Sequence, residues 1–128
     1  MNSDKFLETG NIKFKSFYRD SMYKVIEKKD KTGIFEGPSL IFYVAFAIGY
    51  HFDKQEKIKP KSINHVNLVS LNRDIKEIMI KLILKRKSQI TDPKDLWKEV
   101  ETYAEYGIQI LYDALQKKEF EIDLNKLI

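Results

Sequence analysis

The chain has no cysteine, which excludes disulfides, thiolate nucleophiles and cysteine-ligated zinc. Histidine is nearly as scarce. His51 and His65 are the only two, and a lone imidazole beside an apolar run reads as a boundary residue, not a metal or acid–base centre. With five glycines and three prolines there is no glycine-rich loop to cradle phosphates and no Walker sequence. Ser16, Ser21, Ser39, Ser62, Ser70 and Ser88 lie in no nucleophile-elbow context. These absences predict a protein that is not an enzyme and holds no cofactor. No apolar run approaches the roughly 20 residues that a bilayer span needs. The start, Met-Asn-Ser-Asp-Lys-Phe-Leu-Glu, has no apolar stretch typical of a signal peptide, so a cytoplasmic protein with no membrane partner is expected.

The 128 residues fit one domain large enough to bury a core. The net charge of +4 is unevenly spread. The first 90 residues hold 18 basic against 10 acidic side chains, and the last 38 hold 5 against 9. Such a chain can meet a polyanion with its first part and a protein with its second. Only Arg19, Arg73 and Arg86 are arginines, so bidentate phosphate recognition has few candidates, and lysines equally form ordinary solvated faces.

The chain is expected to be organised around the stretch 38–52, which carries no acid, lysine or arginine and is apolar on every side. That pattern predicts a helix buried all round. Ala45, Ala47 and Gly49 are small enough for close approach of a neighbouring helix, Gly49 alternatively serving as a cap. Residues 1–12 read as a flexible, frayed start. From Lys13 to Lys29, Phe14, Phe17, Tyr18, Met22, Val25 and Ile26 recur at steps of three and four, predicting a helix capped by Gly33. Ile34 and Phe35 are expected to tuck under the core, and Pro38 to open the next helix. Residues 53–62 form a basic loop broken by Pro60. Residues 63–69 read as a short strand or an extended arm, its partner being the 33–36 segment or another protomer.

Asn72 is a predicted N-cap for a helix over 73–87, with Ile75, Ile78, Met79, Leu82 and Ile83 on one face. Asp92-Pro93-Lys94-Asp95 caps a last helix over 93–117. Gly107, in the middle of that helix, is expected to face the central one, with Glu99, Glu101 and Glu105 on the outside. Glu101 and Glu105 lack the Glu-x-x-His companions of a carboxylate metal site, so a solvated acidic face is expected. Tyr106 lies off the apolar stripe and is expected near the surface. Residues 118–128 read as an apolar arm. The expected fold is mainly α: about four helices around a buried central one, with a short two-stranded β element at most.

Gly33-Ile34-Phe35-Glu36, the run Leu40-Ile41-Phe42-Tyr43-Val44-Ala45-Phe46-Ala47-Ile48-Gly49-Tyr50 and the Pro60 loop together resemble the DNA phosphorothioation-associated protein 4 family, also called Dnd system-associated protein 4. That family has an IFE…LLVFAAALGY centre followed by a basic, proline-containing loop. Its EEYANGGLEIL segment is similar to Glu101-Thr102-Tyr103-Ala104-Glu105-Tyr106-Gly107-Ile108-Gln109-Ile110-Leu111. The likeness covers about residues 15–116, with departures at Thr102, Glu105 and Tyr106 and a more lysine-rich loop. It implies a bacterial locus that places sulfur in DNA backbones or restricts DNA lacking it. It carries over no catalytic residue, because the matching positions are core and cap residues.

The expected function is that of a non-enzymatic accessory protein in a DNA-modification or restriction defence system, acting on DNA or on a larger protein partner. Lys57, Lys59 and Lys61 with Lys85, Arg86 and Lys87 are the predicted phosphate contacts. The alternative is a protein-interaction module or small homo-oligomer without DNA contact, using the acidic last helix and apolar tail. The strand-then-two-helices order from Ile63 also matches ribbon-helix-helix repressors, but the second helix is too long and the strand alternates poorly.

Overall fold

The computed structural model describes residues 4–7, 12–29 and 37–117. It is mainly helical with one small sheet, as expected. In order come α1 (Asp4–Leu7), β1 (Lys13–Ser16), a π-helical turn (Arg19–Tyr23) leading into α2 (Lys24–Lys29), α3 (Pro38–Phe52), β2 (Ile63–Asn67), a 3-10 turn (Leu68–Ser70), α4 (Arg73–Arg86) and α5 (Pro93–Gln116). No described helix is long and apolar enough to cross a membrane. The expected Gly33 cap, the Ile34–Phe35 anchors and the 118–128 arm lie outside the described residues.

The two glycine expectations meet at the α3–α5 crossing. A Cβ on Gly107 would strike the Ala45 carbonyl, and one on Gly49 the Tyr103 carbonyl. Only hydrogen fits at either place, so the two backbones touch. Gly49 therefore serves the crossing, while the α3 C-cap is Asp53, in the left-handed region at φ 51°. At the other end Gly37 takes φ 111°, a conformation that glycine alone adopts without strain, immediately before Pro38 at the first helical position. The remaining caps fall where the sequence put them. Asn72 Oδ1 accepts from Ile75 N at 2.8 Å, and Asp92 Oδ1 from Lys94 N at 2.9 Å.

The predicted helix over 13–29 begins six residues late. Lys13–Ser16 is a strand whose side chains alternate outward and inward, Phe14 and Ser16 being buried and Lys13 and Lys15 exposed. It pairs antiparallel with β2, Lys13 opposite Asn67 and Ser16 opposite Ile63. A bulge places Lys15 opposite Asn64 directly after Phe14 opposite Val66, leaving His65 as the extra residue. The partner of β2 among the described residues is thus β1, which the sequence pattern assigned to a helix; the 33–36 segment lies outside the described residues. Tertiary pairing overrides a local pattern that suits either period at Phe14, Phe17 and Tyr18.

α3 is not buried all round. Ile41, Phe42, Ala45, Phe46 and Gly49 are buried along one side, Tyr43, Val44, Ile48 and Tyr50 are half-buried, and Ala47, His51 and Phe52 are exposed. The most enclosed helix is α5, which α1, α3, α4, β1 and the π-helical turn all touch. Its buried residues include Thr102 and Glu105 as well as Trp97, Val100, Tyr103 and Ile108. α4 is rotated from its expected face: Met79, Ile80, Ile83 and Leu84 point inward and Ile78 is exposed. Within the expected frayed start, Phe6 is buried, and its carbonyl accepts from Trp97 Nε1 at 3.0 Å.

Candidate functional site

β1 and the first turns of α5 border an open cleft of about 650 Å³, with the 57–60 segment along its third side. Phe14 and Trp97, both buried, form part of its wall. Six lysines line it. Lys13 and Lys15 come from alternate positions of β1, Lys57 and Lys59 from the basic loop, and Lys94 and Lys98 from successive turns of α5. The one acid in the lining is Glu101. Its Oε2 accepts from the backbone N–H of Lys15 at 2.7 Å. Burial raises the Glu101 pKa above its ordinary range, the Lys15 N–H and the charges of Lys98 and Lys15 opposing that rise. None of Lys13, Lys15, Lys57, Lys94 and Lys98 forms a salt bridge among the described residues.

The loop that carries Lys57 and Lys59 is held in place by Glu56. Its backbone N–H donates to the Thr102 carbonyl at 3.0 Å, and its two carboxylate oxygens accept from Gln109 Nε2 at 2.8 Å and from the Tyr18 hydroxyl at 2.7 Å. Burial pushes the Tyr18 pKa far up, and the Glu56 hydrogen bond and charge add to it, so this hydroxyl stays a donor. Lys59 then reaches across: its Nζ donates to the Tyr18 hydroxyl at 3.3 Å and sits 4.5 Å from the centre of the Phe17 ring.

Just beyond the cleft, α5 grips β1 a second time. Glu105 Oε1 accepts from Ser16 Oγ at 2.6 Å, and its Oε2 from Phe17 N at 2.9 Å. Glu105 is 1% exposed, so the expected solvated acidic face does not exist at this position. Glu101 and Glu105 instead cap outward-pointing N–H groups of the first strand and the turn after it. Burial raises the Glu105 pKa, with the Ser16 and Phe17 hydrogen bonds pulling the other way. Tyr106, also on α5, is half-buried, with Lys54 over its ring.

The five lysines and one arginine singled out from the sequence divide into two groups. Lys57 and Lys59 line the cleft, and Lys61 is exposed just past Pro60 but outside the lining. Lys85, Arg86 and Lys87 lie at the end of α4, and two of them are already engaged. The Arg86 guanidinium lies 3.5 Å from the Tyr50 ring centre and 3.2 Å from Asp53 Oδ1, and the same carboxylate oxygen accepts from the Tyr103 hydroxyl at 2.8 Å. Lys87 pairs with Glu99, whose Oε1 also accepts from Gln55 Nε2. Arg86 and Lys87 therefore tie α4 to α5 and the end of α3. Lys13, Lys15, Lys94 and Lys98 join Lys57 and Lys59 only through the pairing of β1 and its packing on α5, although the alternation of Lys13-Phe14-Lys15-Ser16 and the four-residue step from Lys94 to Lys98 are both visible in the sequence.

His65, on the β2 bulge, packs against Tyr23 with ring centres 3.9 Å apart and planes tilted by 48°, and its Nε2 is buried without a hydrogen-bond partner among the described residues. Burial and the charges of Arg19 and Lys24 lower its pKa to about 4, Asp20 opposing. No group of three or more His, Cys, Asp or Glu side chains among the described residues is placed to hold a metal ion. Comparison of the chain with protein-family models, curated proteins and solved structures finds no match.

Proposed function

We propose that this protein is a non-enzymatic nucleic-acid-binding accessory factor that holds a DNA phosphate backbone in the lysine cleft. The observation that carries this reading is the convergence of six lysines from three separate segments on one concave surface, facing a single, already hydrogen-bonded carboxylate. Like charges brought together raise the potential of the cleft and favour a polyanion that replaces the missing counter-charges. The resemblance to the phosphorothioation-associated family supplies the setting, a bacterial DNA-modification and defence locus, in which this chain contacts DNA or presents it to larger partners. The alternative, a protein-interaction module using an acidic last helix, has less support, since Glu99, Glu101 and Glu105 all have partners within the chain.

Fluorescence anisotropy with labelled oligonucleotides tests the reading. Binding should weaken steeply with salt, with a log–log slope corresponding to about four to six displaced counterions. The double change K94E/K98E should abolish most of it, and K85E at the far end of α4 should have little effect. Absence of binding at low salt would end the proposal. Genes for a cysteine desulfurase and sulfur-transfer enzymes next to this one would support the setting.

A further inference from the structure

Phe17 continues the outward face of β1. Lys13, Lys15 and Phe17 occupy alternate positions and are all exposed, while Phe14, Ser16 and Tyr18 between them are buried. Alternate side chains on a strand stand about 7 Å apart on one face. The aromatic ring is thus the next group along the surface after two cleft lysines. It is 43% exposed, in a chain whose other described phenylalanines, Phe52 apart, are buried. Its position is fixed, because its own backbone N–H is bound by Glu105 and its ring by the Lys59 ammonium and the edge of Tyr18 at 5.4 Å. A rigid, exposed aromatic costs little entropy to engage, and every nucleobase offers a flat face to stack on it.

We infer that Phe17 is a base-stacking platform and that the cleft prefers single-stranded nucleic acid, the phosphates lying along Lys13, Lys15 and Lys59 and an unpaired base resting on Phe17. A duplex presents the same phosphates but keeps its base faces stacked inside, so it meets the lysines and not the ring. The inference rests on the polyanion reading of the same cleft and adds the form of nucleic acid. An anionic lipid surface would also meet lysines and an aromatic. A concave site with one ring at its end suits a strand better than a flat bilayer.

The test compares labelled dT12, a 12-base-pair duplex and a 12-residue abasic strand of the same backbone charge, with phosphatidylserine vesicles as a control, each with the parent, F17A, F17W and K94E/K98E. Phe17 is exposed, so unchanged circular dichroism and melting should accompany F17A. The parent should bind dT12 more tightly than either other probe. F17A should weaken dT12 binding by roughly fivefold or more, leave the duplex and abasic strand unchanged, and be rescued by F17W. Equal affinity for dT12 and the abasic strand, or equal losses on all three probes in F17A, would overturn the stacking role while leaving the lysine cleft in place. If K94E/K98E changes nothing, or if only phosphatidylserine vesicles bind, the cleft reading itself fails and Phe17 loses its role with it.

Discussion

Gly49 and Gly107 lie against one another's helices, and a methyl group on either would overlap a main-chain carbonyl of the other. The neighbour that would have to move is backbone, which a rotamer change cannot relieve. Gly107→Ala and Gly49→Ala should each lower stability by about 1–3 kcal/mol or more, although alanine gains roughly 1 kcal/mol over glycine in helix propensity. Urea denaturation measures the balance, and a variant at least as stable as the parent would contradict the backbone contact.

Phe46 is fully buried, with its ring 6.1 Å from Tyr103 and 5.8 Å from Tyr50. Phe46→Ala should cost about 3–5 kcal/mol, enough to unfold a domain of ordinary stability. A melting temperature within a degree or two of the parent would contradict the packing of α3 on α5.

Glu105 separates hydrogen bonding from charge. Glu105→Ala strands the Phe17 N–H and removes an acceptor from Ser16, at about 1–3 kcal/mol for each buried group left unpaired. Glu105→Gln keeps an oxygen for Phe17 and an amide for Ser16, and should stay within about 1 kcal/mol of the parent. Burial holds the folded-state pKa of Glu105 above its ordinary 4.5. Protonation therefore favours the fold: this contribution is complete below 4.5 and is lost as pH rises through the raised value. Urea titrations at pH 4.5 and 7.5 should give Glu105→Gln a smaller decrease in stability between them than the parent.

His65 has the opposite sign. Its folded pKa of about 4 lies below its ordinary 6.5, so between those values the unfolded chain binds more protons. Stability should fall as pH drops through that window, by on the order of 2 kcal/mol from this residue. His65→Phe keeps a ring against Tyr23 and should remove that part of the slope. Parallel slopes for variant and parent would show that the imidazole is solvated.

Arg86 is expected to matter for the fold and not for the ligand. Arg86→Ala removes its stacking on Tyr50 and its pairing with Asp53, costing about 1 kcal/mol. Oligonucleotide affinity should be unchanged. A tenfold loss of affinity with unaltered melting would return the α4 terminus to the binding surface.

Much of the helical framework was legible because its signals are local. Asn72 and Asp92 sit at caps, Pro38 and Pro93 at first turns, and Gly107 in the middle of a helix with no local reason to be there. What local pattern could not carry was partnership across the chain. Lys13–Ser16 is a strand only because residues 63–67 lie beside it. Glu105 is a buried acceptor only because that strand offers it donors 89 residues away in sequence. The cleft shared this fate: Lys57 and Lys59 stood out in a charged loop, while the four other lysines join them only once β1 and α5 are packed. Apolarity also ranked the helices in the wrong order. α3 is the greasier, yet α5 is more deeply enclosed, since its polar side chains are satisfied inside.

A carboxylate accepts hydrogen bonds and never donates one. With Glu101 and Glu105 on the free side of β1, the open amides of Lys15 and Phe17 are taken by groups that cannot extend the ladder. A passing strand from another molecule finds no pairing rail there. The last helix thus guards this edge of the small sheet against edge-to-edge growth into fibres, a hazard that short exposed strands otherwise carry.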